Sequence, residues 1–166
     1  MQNRKNILVA VDDSEASRRA LVYVADMVGV TSGFHVGLLH LELPPRMLEW
    51  GGSENPEIEA RTGSERAEAY RQMEEARLAK GKLLLERLRK VVAERGIEVL
   101  GLFVQFEEPL DKTHVSRAIL DSAREHDCGT VVVGRHSFSG LKRFFRHHVG
   151  EELVRSGEGI SIWVVE

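Results

Sequence analysis

The sequence predicts an α/β fold: a single open, mostly parallel five-stranded sheet with helices on both faces. Three observations carry that expectation. Short apolar runs alternate along the chain with longer segments of helical period, the pattern of strands joined by helical crossovers. The apolar runs are nearly continuous, as in strands covered on both faces. Glycine, proline and short polar residues fall between the two kinds of segment.

Taken in order, Ile7 to Val11 is the first strand, and it runs into Asp12-Asp13-Ser14. Ser14 is placed to cap the next helix with its hydroxyl, and Glu15 stands near the positive end of that helix dipole. Ala16, Ala20, Leu21, Val24, Ala25 and Val28 form one apolar stripe. Gly33 marks a turn, and Phe34 to Leu43 is the second strand, closed by Pro44-Pro45. Residues 46–64 hold Gly51-Gly52, Pro56 and several acids without a period and read as a mobile insertion loop. A long charged helix spans about 65–94, with Leu84, Leu88, Val91 and Val92 toward the core and Gly96 as its stop. Val99 to Phe106 is the third strand, His114 to His126 the third helix, and Thr130 to Val133 the fourth strand, ended by Gly134. Leu141 to about Val154 is helical, with a break expected near His148, and Ile160 to Val165 is the last strand. The whole, 1–166, reads as one domain.

Composition narrows the function classes. Apolar residues at 42% and charged residues at 30% exclude a disordered chain. A net charge of −3 gives no global basic footprint, so neither nucleic acid nor an anionic membrane is an expected partner. Cys128 is the single cysteine and has no internal disulfide partner, which suits a reducing compartment. The apolar run near the start is too short for a signal-peptide core and no run is long enough to span a bilayer, so the expected location is cytoplasmic.

In parallel sheets ligands bind beyond the carboxyl ends of strands, which singles out the loops after Val11 and after Val133. Asp12-Asp13 could hold a divalent cation as receiver domains do, but that use needs an aspartate ending the third strand, where Gln105-Phe106-Glu107 stands. The other reading is structural: Asp13 or Ser14 caps the helix and Asp12 hydrogen-bonds at the strand end. The first turn lacks Gly-x-Gly-x-x-Gly, and no Walker loop is present. The loop from Gly134 is basic, with Arg135, Lys142, Arg143 and Arg146, and offers the parts of an anion site: strand, glycine turn and helix start. The same residues also suit a solvated basic helix face over Phe144, Phe145 and Val149. Adjacent His147 and His148 point about 100° apart on a helix, poorly placed to share a metal with His136. His40 reads as a hydrogen-bonded structural histidine and Cys128 as a packed, inert thiol.

Five pieces in order resemble the universal stress protein family: Ile7-Leu8-Val9-Ala10-Val11-Asp12 with Ser14, Leu38-Leu39-His40-Leu41, Val131 to Gly134, Gly140-Leu141-Lys142 and the closing hydrophobic strand. The resemblance implies a Rossmann-like sheet of the adenine-nucleotide alpha hydrolase-like kind. It also implies a stress-response or regulatory module that is not an enzyme. Nucleotide-binding members carry Gly-x-x-Gly-x(9)-Gly-Ser/Thr after the fourth strand; here Gly134 matches, while Ser137 and His147-His148 stand at the other three positions. Glycines there let backbone amides approach phosphate, so ordinary binding of ATP or AMP is expected to be weakened or lost. By resemblance the nucleotide site comprises Val11, Asp12, Leu41, Val133, Gly134, Ser137, His147, His148 and Val149, with Val11 and Asp12 near adenine and ribose and Leu41 beside the base. An alternative is a switch in which His147, His148 and Arg135 replace the glycine cradle, since histidine can also donate to phosphate. Pyrophosphatase relatives resemble Ser-Gly-Gly-x-Asp-Ser at the first loop, and Val11-Asp12-Asp13-Ser14 lacks both glycines. The resemblance further implies a homodimer through the C-terminal strand, using Ile160, Ile162, Trp163 and Val164, although Trp163 could equally be an ordinary core or surface tryptophan.

Overall fold

In the computed structural model the described residues are 2–29, 31, 33–42, 63–106, 114–135 and 149–166. They form β1 (Asn3–Val11), α1 (Glu15–Val28), β2 (His35–Glu42), α2 (Gly63–Ala93), β3 (Glu98–Phe106), α3 (His114–Glu125), β4 (Cys128–Gly134), α4 (Val149–Ser156) and β5 (Ser161–Val165). The expected insertion loop lies outside the described residues except for Gly63 and Ser64, which open α2. Of the helix expected over Leu141 to Val154, only the part from Val149 is described.

The strands line up as β3-β2-β1-β4-β5, and every neighbouring pair is parallel, so the sheet is fully rather than mostly parallel. β1 begins earlier than its apolar run: Asn3, Arg4 and Lys5 extend it, exposed, before residues 6–11 become buried. Helices cover both faces. Ile7, Val9 and Val11 point to the face where α1 and α2 pack, with Leu21, Val24, Leu85 and Val92. Leu8, Ala10, Leu39 and Leu41 point to the other face, against Val115 and Ile119 of α3 and Leu153 of α4. This two-sided burial is why the strand sequences are apolar without alternation.

Local chemistry sets the helix ends. Ser14 has extended φ/ψ (−94°, 155°) and its Oγ accepts from the Ser17 amide, the N-cap arrangement its position predicts. Glu15 pairs with Arg18 one turn on. Gly96 takes φ +71° after α2, a conformation that a side chain would strain. Among the described residues no helix is long and apolar enough to cross a membrane.

The strand order places the switch of winding direction at β1 and β4. Chain progress runs outward to β2 and β3 on one side of β1 and to β4 and β5 on the other. The crevice between the carboxyl ends of β1 and β4 is therefore the position where open parallel sheets receive ligands.

Candidate functional site

Asp12 follows the last residue of β1 and organises the turn into α1. The hydroxyls of Ser14 and Ser17 both donate to its Oδ1, the latter at 2.6 Å, and the Ser14 amide donates to the same oxygen at 3.2 Å. In return the Asp12 amide donates to Ser17 Oγ at 2.9 Å. One carboxylate oxygen thus collects three donors and fixes the turn. Ser17 is completely buried although polar, and these bonds satisfy it. This is the structural role expected of Asp12; Asp13 does not cap, but pairs with Arg87 of α2 at 2.5 Å on the exposed surface.

On the neighbouring strand end, Gly134 closes β4 and pairs in register with Val165 of β5, while Val133 pairs with Ala10 of β1. The Arg135 amide donates to the Val165 carbonyl at 2.7 Å, and its guanidinium is paired with Glu166. A phosphate contact by Arg135 would therefore have to draw it from Glu166. Val11, Leu41 and Val133 are core residues, at most 4% exposed, and their side chains are packed within the sheet's two cores. Leu41 and Val133 join one cluster on the α3 face, with Val149 packed against it, and Val11 belongs to the opposite face. Ser137, His147 and His148 lie outside the described residues.

The reading of His40 as a hydrogen-bonded histidine holds, but Glu42 and Arg77, which complete a cluster beside this turn, carried no sequence signal. His40 pairs with Val11 across the β1–β2 ladder, and its ring sits between two acceptors: Nδ1 is 2.9 Å from the Val11 carbonyl oxygen and Nε2 is 3.0 Å from Glu42 Oε1. Arg77 of α2 approaches Glu42 Oε2 at 3.3 Å. His40 and Glu42 have side chains only 12% and 11% exposed. Burial pushes the His40 imidazolium down, but Glu42, the Val11 carbonyl and the charge of Asp12 outweigh it and hold the ring above the usual histidine range. Burial likewise pushes Glu42 up, and His40 and Arg77 outweigh it, leaving the carboxyl below its usual range. The cluster is the wall of a cleft of about 490 Å³ that is also lined by Asp13, Lys80, Leu83 and Arg87.

Gly81 explains how α2 comes so close. A Cβ there would stand 3.0 Å from His40 Cδ2 and 3.3 Å from Glu42 Oε1. A glycine inside a 31-residue helix was the available signal, because such a residue costs helix stability and needs a packing reason.

At the far edge, β5 carries Trp163 with its ring edge-to-face against Tyr23, centroids 6.5 Å apart. Tyr23, Met27 and Val164 are exposed there around a hollow of about 350 Å³. Ile160 does not share that surface. It is 7% exposed and packed in the α3-face core, so the expectation that it meets a partner is corrected. Cys128 is fully buried, and burial, with the Asp127 charge, pushes its thiol up to about 11. Among the described residues no group of histidine, cysteine and carboxylate side chains is placed to hold a metal ion.

Comparison with known proteins adds the following. The profile described as the universal stress protein family matches residues 3–165. Among curated proteins none matches. Among solved structures, the universal stress protein UspA from Lactobacillus plantarum is similar at 16% identity and TM-score 0.65, covering 99% of both chains. A universal stress protein from Archaeoglobus fulgidus in complex with dAMP is similar at 20% identity and TM-score 0.53, covering 97% of both. A universal stress protein in complex with cAMP is similar at 13% identity and TM-score 0.58, covering 97% of this chain and 95% of that one.

Proposed function

The chain belongs to the universal stress protein family, and on that premise we propose that it is a non-enzymatic stress-response module that binds adenine nucleotides weakly at the Asp12 and Gly134 strand ends. The observation that carries this reading is the placement of the Asp12 turn and Gly134 on adjacent strands at the switch point of the sheet. The dAMP and cAMP complexes of similar folds support adenine nucleotides as the ligand class. Weak binding follows from Ser137, His147 and His148 at the three positions where glycine, glycine and a small hydroxyl residue would cradle phosphate.

Titration calorimetry with ATP and AMP tests this. Dissociation constants near the millimolar range are expected, roughly −4 kcal/mol of binding, with no phosphate release above blank. Tight, saturable micromolar binding would overturn the weakened cradle, and sustained ATP turnover would overturn the non-enzymatic role.

The module pairs with a second copy along β5. Among the described residues that strand is last in the sheet and one of its ladder edges has no neighbour, and the Tyr23, Met27 and Val164 side chains form an apolar margin beside it. Ile162, partly buried against the α3-face core, contributes less. Sedimentation of the parent and of Val164→Lys compares dimer with monomer; an unchanged mass would remove β5 as the interface.

A further inference from the structure

His40 stands one peptide group away from the Asp12 turn. The carbonyl it touches, that of Val11, belongs to the same peptide unit as the Asp12 amide, which donates to Ser17 Oγ, which in turn donates to Asp12 Oδ1. A continuous line of hydrogen bonds therefore runs from Glu42 through His40 to the carboxylate proposed to meet the nucleotide. Two acceptors face one imidazole at 2.9 and 3.0 Å. Only the doubly protonated ring donates to both; either neutral tautomer sets a ring lone pair against an oxygen, between side chains that are largely buried.

The surroundings favour the charged ring over the neutral one. On its own strand Glu42 faces it; at the end of β1 stand Asp12 and Asp13; from α2 come Arg77, Lys80 and Arg87. Arg77 is engaged with Glu42 and Arg87 with Asp13, which tempers the positive field from the helix. A substituent at Gly81 would press on the ring from the α2 side.

We infer that His40, as an imidazolium bridging the Val11 carbonyl and the Glu42 carboxylate, is a positioning residue for the Asp12 turn, and that loss of its proton weakens adenine-nucleotide binding at that turn. The inference rests on the nucleotide reading above for its second half only. When the proton leaves, one of the two bonds becomes a repulsion, the β1–β2 strand ends separate slightly, and the main chain at Asp12 shifts with the Val11 carbonyl.

NMR on the nucleotide-free, ¹⁵N-labelled protein across about pH 5 to 9 tests the first half. The His40 ring should titrate above free histidine, whose ordinary value is about 6.5. The amides of Asp12, Ser14 and Ser17 should move with the same midpoint. In Glu42→Gln, which keeps the ring in place, both midpoints should fall together. A ring that keeps one protonation state across this range overturns the inference, as do turn amides that hold still while the ring titrates. AMP affinity measured at about pH 6 and pH 9 tests the second half. A loss of about fivefold is expected in the parent, at the lower end of ordinary coupling between sites, and a clearly smaller one in folded His40→Gln. Equal AMP affinity at both values refutes the link to binding. No AMP binding at either value instead defeats the nucleotide reading, while the amide titration still decides the positioning role.

Discussion

The Asp12 turn and the His40–Glu42–Arg77 cluster sit at neighbouring strand ends and are built in opposite ways. The turn is local: Asp12, Ser14 and Ser17 satisfy one another within five residues of chain. The cluster is assembled from distant places, a strand end at Glu42 and a helix position at Arg77, and it depends on a glycine, Gly81, for its space. Local hydrogen bonding makes a turn that forms wherever the chain forms it. A non-local ion cluster holds only while three elements remain docked. The first should resist small perturbations and fail when its central acceptor goes; the second should be tunable by pH and by packing.

Removing the shared acceptor is the largest break. Asp12→Ala leaves two serine hydroxyls and an amide without their oxygen and should lower unfolding free energy by about 3 kcal/mol, measured by urea denaturation. A loss below 1 kcal/mol would mean the turn does not depend on Asp12.

Gly81→Ala tests the non-local side. Alanine favours the helix by about 1 kcal/mol, but its methyl would press a ring that is held at both nitrogens. A net loss of about 1–2 kcal/mol is expected from overpacking. A gain in stability would show that the cluster yields freely.

The pH profile sharpens the contrast further. His40 is raised in the folded state, so its contribution is fully present below its ordinary value of 6.5 and is lost as pH rises through the folded value. Glu42 is lowered, so its contribution is present above its ordinary 4.5 and is lost as pH falls through the folded value. Stability should therefore be greatest between those limits and decline on the alkaline side. The alkaline decline should shrink in Glu42→Gln, with thermal melts at successive pH values as the measurement.

Arg87→Ala is the smallest change. Its pair with Asp13 has both side chains about two-thirds exposed, and such pairs contribute about 0.5 kcal/mol or less. A melting shift of more than a few degrees would mark Asp13–Arg87 as a true clasp between the turn and α2.

The same contrast explains what the sequence made legible. Continuous apolar strands, the Ser14 cap and the Gly96 stop all follow from patterns within a few residues, and each element appears with its expected type. The loops after Val11 and Val133 followed from strand–helix alternation, and Asp12 from its place at the end of β1; that β1 and β4 are neighbours at the switch point came only with the strand order. The spacing puts His40 and Glu42 on one strand face and Arg77 and Gly81 on one helix face, but nothing local announces that the two pairs meet, because tertiary docking of α2 onto β2 brings them together. Ile160, which the resemblance placed at a partner contact, precedes β5 and is buried in the α3-face core, an outcome that likewise depends on tertiary packing.

Cys128 carries one last consequence. It is the only thiol in the chain, sealed at the start of β4 within the α3-face core and almost wholly protonated at neutral pH. A thiol reagent can reach it only when that core parts, so its labelling rate is a built-in clock for opening of the sheet's α3 side. Run with and without AMP, that clock would show whether a ligand at the strand ends tightens the whole layer or only the turn it touches.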